Sequence, residues 1–482
     1  MSKLDLIVAW DEADRRHVYL EGADLVFAGN EFTHVGPGYA GTADTTIDGR
    51  GLMAIPGFVN VHSHPFSEPA NKGVTEEFGS DKLGQSSLYE YLPVFGLDPE
   101  SAGPSTQVAI SELLKSGVTT VTDLSISRPG WLDDLAASGI RAVVAPMMRQ
   151  GHWFTKNGHA VEYAWDEKAG EKAFAEAMRT IDLALQHPSG RLSGMVCPSQ
   201  IDTCGEGFFR EALQEARRRE IPMQTHAAQA IVEFNEMVRR HGKTPIEWLE
   251  QIGVLGPDLI IGHGIFLSDH PQIHWPHGDD FARLKASGAA VAHCPTVFAR
   301  RGIALNTMGR YMDAGIPLGL GTDTFPHNMI DEMRLACYAA RILAGNYKSG
   351  TTRHAFEAAT VGGARLLRRP DLGKLESGCK ADFSLVDLGH PYMQPAREPV
   401  RSLIYSASDR AIRDVYVDGV QVVRGGKVLT VDVEAATAGL VEGQRKRMAT
   451  VSKRDWAGRT ADQLAPPVYS KQDRLPQSRP VN

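Results

Sequence analysis

Apolar and polar residues alternate over short distances at the start of the chain, in Leu4-Asp5-Leu6-Ile7-Val8 and Ala23-Asp24-Leu25-Val26-Phe27, with Gly and Asn turn signals between. A period of two is what a strand with one buried face produces, so residues 1 to about 50 are predicted to form a small antiparallel β layer. From Leu52 to about Val386 the texture changes to short, wholly apolar runs separated by helical patterns, the signature of βα units around a buried parallel sheet. The runs lie at Ile55–His64, Thr119–Asp123, Arg141–Ala145, Gly194–Val196, Met223–His226, Leu259–His263, Ala290–His293 and Pro317–Asp323. Eight such strands close a barrel. Period two returns at Ala381–Val386 and Asp414–Val423, the latter turning at Asp418-Gly419 as a hairpin does.

The expected fold is therefore α/β: a (β/α)8 TIM barrel over 52–379, with a small β-sandwich-like domain formed discontinuously by 1–51 and 380–450. Residues 451–482, rich in Pro, Gln and charge towards their end, are expected to be a loosely packed C-terminal tail or oligomer arm.

Metal-capable residues fall at the C-terminal ends of the predicted strands, the face on which such barrels do chemistry. In Pro56-Gly-Phe-Val-Asn-Val-His62-Ser-His64 the two imidazoles are two residues apart, so a strand aims both at one point beyond its end. Thr225-His226, Gly262-His263 and Gly321-Thr322-Asp323 end other strands in the same way. An ion held by histidines and one carboxylate, with a position left open, lowers the pKa of bound water to about 7 and makes hydroxide available at neutral pH.

Composition narrows the class. With 42% hydrophobic and 23% charged residues in 482, the chain is neither disordered nor fibrous. A net charge of −7 gives no reason to approach nucleic acid. The cysteines Cys197, Cys204, Cys294, Cys337 and Cys379 are odd in number with no C-x-x-C pair, and read as reduced structural thiols. No run reaches the roughly 18 apolar residues of a membrane span, and Asp11, Glu12 and Asp14 interrupt any leader, so a cytoplasmic location with no membrane partner is expected.

These motifs, in this order, resemble the amidohydrolase superfamily, in particular the branch holding triazine hydrolases and the guanine, cytosine and adenosine-type deaminases. The resemblance runs through Pro56–His64, Lys115–Asp123, His226, Gly262-His263-Gly264, Ala292-His293-Cys294-Pro295, Gly319–Asp323, Glu357–Ala364, Gly373–Asp382 and Val415–Val423. It implies that His62, His64, His226 and Asp323 hold one divalent ion, zinc first and iron or manganese as alternatives. It implies also that Asp323 acts as general base and that His263 contacts substrate or water beside the ion. The predicted fourth strand, Gly194-Met-Val-Cys197-Pro198, lacks the lysine that bridges two metals in binuclear branches, so one ion is expected. A homodimer or larger assembly is implied too.

One departure concerns the reaction. Where the deaminases usually carry a glutamate, three residues after the fifth-strand histidine, this chain has Gln229, which holds a substrate by its amide but delivers no proton. Other candidates concern the substrate pocket: Arg149, His152 and Trp153 in the loop after the third strand, His293, Phe298 and Arg300 around the seventh, and His327 after the eighth. Arg300 and its neighbour Arg301 either grip a substrate carboxylate or are solvated loop charges. The expected activity is attack of metal-activated hydroxide on an electrophilic carbon of a small N-heterocycle or cyclic amide, breaking a C–N bond. One alternative is hydrolytic displacement of thiolate or halide, which needs no acid and suits Gln229. The other is a non-catalytic, metal-free scaffold.

Overall fold

Strands buried at every position, such as Phe58–Ser63 and Val118–Ser125, need cover on both faces, and helices between parallel strands supply it. The computed structural model describes residues 1–74, 81–86, 88–273 and 275–469. The parallel strands are β1 (Phe58–Ser63), β2 (Val118–Ser125), β3 (Arg141–Met148), β4 (Leu192–Gly194, resumed at Cys197–Pro198), β5 (Met223–Ala227), β6 (Leu259–His263), β7 (Ala290–His293) and β8 (Leu318–Leu320). Ladders join β1 to β2, β3 and β4 in order, and β5 to β6, β7 and β8. Bridges Val196–Met223 and Ser63–Asp323 link the two sets, so the parallel pairing runs round in a ring. At least one helix follows each strand, from Ala102–Lys115 after β1 to Met329–Ala344 after β8.

Three strand expectations need correction. Of Gly194–Val196 only Gly194 is strand, with Val196 held by a single bridge to Met223. The run Ile55–His64 is split at Gly57, where a Cβ would sit 2.1 Å from Thr119 Oγ1. Leu52–Pro56 belongs with the chain ends, parallel to Leu4–Asp11 and antiparallel to Phe383–Asp387. At the other end of the ring only Leu318–Leu320 of Pro317–Asp323 is strand, because Asp323 leaves the ladder in a left-handed conformation, φ 56°.

Both chain ends meet in one eight-stranded sheet, ordered Lys427–Val428, Val420–Arg424, Ile412–Val417, Phe383–Asp387, Leu52–Pro56, Leu4–Asp11, Arg16–Ala28, Glu31–Gly36. The sheet folds back on itself: Phe32 lies 5.7 Å from Phe383 and Phe27 6.2 Å from Tyr416, ring to ring. Arg141 at the start of β3, 2% exposed, clamps sheet to ring through Asp382 (2.8 and 3.1 Å) and Asp418 (2.8 Å).

The segment expected to be a loose tail is packed as far as Leu464. The helix Val433–Met448 lays Ala436 and Leu440 against Val108 and Ala70, and beyond it Val451 and Leu464 close over Val74, Val94 and Phe95. Scattered apolar residues in a polar segment bury just enough surface to dock it. Residues 470–482 of that expectation lie outside the described residues. Among the described residues no helix is long and apolar enough to cross a membrane.

Candidate active site

At the C-terminal ends of β1 and β5, three imidazoles turn one nitrogen inward and have the other pinned from behind. His64 Nδ1 is 2.8 Å from Leu124 O and His226 Nδ1 is 2.6 Å from Ser199 O; carbonyls only accept, so each Nδ1 carries the proton. His62 Nδ1 meets Gln224 Oε1, an acceptor because the Gln224 amide nitrogen donates to Val61 O at 3.1 Å. The Nε2 lone pairs therefore face one another. His64 Nε2 and His226 Nε2 are 3.2 Å apart, ligand atoms of the three rings lie within 4.8 Å of each other, and His62 Nε2 is buried with no hydrogen-bond partner. Lone pairs brought together this way repel unless a cation lies between them, so the donor set fits a metal ion. Burial lowers the pKa of His64 and His226 to about 4 and that of His62 well below its ordinary value, leaving neutral rings of the kind that ligate metals.

Asp323 enters the cluster from the other end of the ring. Its N–H donates to His62 O at 2.8 Å and its carbonyl accepts from His64 N at 3.0 Å, which locks the end of β8 to β1. Gly321 permits this approach, since a Cβ there would lie 2.6 Å from His62 Cβ. Asp323 Oδ1 is 3.4 Å from His64 Nε2 and 3.9 Å from His62 Nε2, while Oδ2 is 3.6 Å from His263 Nε2. One oxygen thus faces the three imidazoles and the other faces His263, itself held at φ 86° at the tip of β6 with its Nδ1 unpartnered. Burial raises the Asp323 carboxyl to about 6, against the pull of His226 and Arg301. Cys294 Sγ lies within 4.8 Å of the ligand atoms of His62, His263 and Asp323, but burial holds its thiol well above the ordinary range and so protonated.

Over this cluster opens a cavity of about 520 Å³. His64, His226, His263, Asp323 and Gln229 reach its surface, and so do Arg149, His152, Trp153 and Phe298 from the expected pocket wall. The other pocket candidates lie elsewhere. Arg300 turns aside, donating to Phe325 O at 2.5 Å and stacking on the Phe325 ring at 4.3 Å, whereas Arg301 lines the cavity. His327 is fully buried between Thr322 Oγ1 (3.3 Å) and Ser63 Oγ (3.5 Å). His293, 5% exposed, lines a separate small void with Ile265 and Met308.

Residues the sequence reading passed over complete the site. Glu68, four places after His64, lines the cavity; its carboxylate accepts from Asn71 Nδ2 at 3.0 Å, and burial raises it to about 7. Arg447 on the C-terminal helix holds Asn71 in place, donating to Asn71 Oδ1 at 2.5 Å. The amide nitrogen of Gln229 donates to Gln200 Oε1, and its backbone N–H donates to Glu233 Oε2 at 3.4 Å, the Glu233 carboxyl being raised well above its ordinary range by burial. Glu233 is the third residue of the helix Ile231–His241 and reaches back over its start to accept the backbone N–H groups of Ala228 and Gln229.

Comparison with known proteins agrees with this geometry. Residues 53–422 match the model of the Amidohydrolase family. The chain is 26% identical over 419 residues to a 5'-deoxyadenosine deaminase of Methanosarcina acetivorans (86% of this chain, 91% of that one). It is 29% identical over 427 residues to a 5-methylthioadenosine/S-adenosylhomocysteine deaminase of Natronomonas pharaonis (87% and 91%). Among solved structures it shares the fold of a triazine hydrolase from Arthobacter aurescens, with TM-score 0.76, 22% identity and coverage of 92% and 98%. It likewise shares that of an adenosine deaminase from Xanthomonas campestris with bound zinc, with TM-score 0.73, 22% identity and the same coverage. By its sequence, its ring of parallel strands and its convergent imidazoles, the chain belongs to the amidohydrolase family.

Proposed function

We propose that this chain is a mononuclear metal-dependent hydrolase, a (β/α)8 barrel with a small β-sandwich domain made from both chain ends, that breaks a C–N bond in a small N-heterocycle or cyclic amide. The observation that carries the reading is the pinned set His62, His64 and His226, with Asp323 closing it. A divalent ion there, zinc in the first instance, supplies when bound the acidity that makes water a nucleophile near pH 7. Asp323 accepts the proton of the attacking water and returns it to the departing nitrogen. His263, facing Asp323 Oδ2, hydrogen-bonds the oxygen that gains charge as the carbon becomes tetrahedral. Gln229, Glu68 and Arg301 orient the ring, and Phe298, Trp153 and the apolar side chains around them exclude bulk water.

A second reading, expulsion of thiolate or halide, is favoured by Gln229: its amide is tied to Gln200 and offers no acid to a leaving group. Screening cyclic ureas, thioureas, aminopyrimidines and triazines, with ammonia, sulfide and chloride each quantified, decides between them. Failure of the zinc-loaded chain to hydrolyse any of them would contradict the proposal. A homodimer or larger assembly is proposed on the family resemblance and is checked by light scattering at micromolar concentration.

A further inference from the structure

An amide has two N–H protons and one oxygen. At Gln229 the side-chain nitrogen donates to Gln200 Oε1, the backbone N–H donates to Glu233 Oε2 at 3.4 Å, and among the described residues the amide oxygen accepts no hydrogen bond, so that oxygen is open to a ligand as an acceptor. Gln229 lines the cavity three residues beyond His226, beside the metal-ligand cluster. The ring atom next to the reacting carbon thus meets an acceptor. An unprotonated ring nitrogen, as in an amidine edge C(NH2)=N, would set lone pair against lone pair, whereas a ring N–H forms a hydrogen bond.

A second donor and acceptor remain for the rest of the ring. Arg301 and Glu68 both line the cavity and feel each other's charge, yet no ion pair joins them, and among the described residues the Arg301 guanidinium has no hydrogen-bond partner. Arg301 suits a ring carbonyl, and the free Glu68 oxygen a further N–H.

We propose that the substrate is a cyclic amide or ureide in its N–H form, rather than an aminated aromatic ring. Water adds to the carbonyl-type carbon next to the N–H that Gln229 accepts, the bond from that carbon to that nitrogen breaks, Asp323 passes the water's proton to the departing nitrogen, and the ring opens to an acid and an amine. At a thiocarbonyl carbon the same addition breaks the C–S bond instead, sulfide leaves with the proton and the carbonyl remains. The inference rests on the hydrolase reading above, and names the substrate class of that same site.

The experiment measures binding to the zinc-loaded full chain by calorimetry, using dihydrouracil and hydantoin, their N-methylated derivatives, and adenosine and 2-aminopyrimidine. Dihydrouracil or hydantoin should bind at least about tenfold more tightly than its N-methyl derivative, because methylation leaves a buried acceptor unpaired. With Gln229→Met that gap should shrink to about threefold or less, while zinc content and melting temperature stay as in the native chain. Equal binding of parent and methylated probes, tighter binding of adenosine or 2-aminopyrimidine, or no binding of either N–H probe at millimolar concentration would each overturn the inference. If 2-aminopyrimidine is bound and deaminated, the hydrolase reading stands while this inference falls. Failure of the hydrolase reading shows separately, as absence of zinc from the native chain.

Discussion

On the floor of the cavity every ligand imidazole is pinned from behind by a backbone carbonyl or a buried amide, whereas on its walls Arg149 and Arg301 form no ion pair among the described residues. His62, His226 and His263 sit at the ends of β1, β5 and β6, and His64 and Asp323 just beyond β1 and β8, where backbone hydrogen bonds between the two segments hold them. Arg149 and Arg301 sit on loops, and Trp153 and Phe298 on a hairpin strand (Gly151–Phe154) and a short helix (Pro295–Ala299) carried by the segments that follow the ring strands. A floor built on strands holds ligand geometry to a fraction of an ångström; a wall built on the connecting segments is free to change with the substrate.

The sharpest break of this comparison is removal of a floor ligand. His62→Ala, His64→Ala, His226→Ala or Asp323→Ala should each abolish stoichiometric metal and lower kcat/KM by on the order of 10³-fold or more, since too few ligands remain; elemental analysis with steady-state kinetics checks it. His263→Ala should keep its metal and lose on the order of 10²-fold in kcat.

Next in size is the clamp that carries the floor's scaffold. Arg141→Ala strands Asp382 as a buried unpaired carboxylate and should cost about 3–5 kcal/mol of stability. Denaturant unfolding followed by circular dichroism measures it. A smaller effect is expected behind the floor, where Gln224→Leu leaves His62 Nδ1 without its acceptor and should weaken zinc binding about 10- to 100-fold, read by competition with a chelator.

The smallest effects separate wall from surface. Arg300→Ala should leave KM within about twofold, because that half-buried guanidinium donates to Phe325 O, stacks on its ring and does not line the cavity. Arg301→Ala should raise KM about tenfold, through loss of a charged hydrogen bond to the bound ring. Equal effects from the two would erase the distinction between wall and surface.

The difference between floor and wall also explains what the sequence disclosed. His62, His64, His226, His263 and Asp323 were legible because each ends a buried apolar run, and a strand leaves its terminal side chain only one direction. The break at Gly57 was not, since the Thr119 side chain that leaves no room for a Cβ there comes from some sixty residues away. Arg300 and Arg301 are adjacent in sequence and indistinguishable by type; only the turn after β7 decides which one enters the cavity. Glu68 looked like one more loop charge, and its partners Asn71 and Arg447 come together only when the C-terminal helix docks. His293 and His327 were drawn in by chemistry alone, and packing put both out of reach of the cavity.

The central claim is that this floor binds one divalent ion. Equilibrium titration of the metal-stripped full chain with zinc, beside the His226→Ala variant, tests it most directly. The account predicts one tightly bound equivalent for the native chain and no tight binding for the variant. Two equivalents in the native chain, or undiminished binding by the variant, would contradict it.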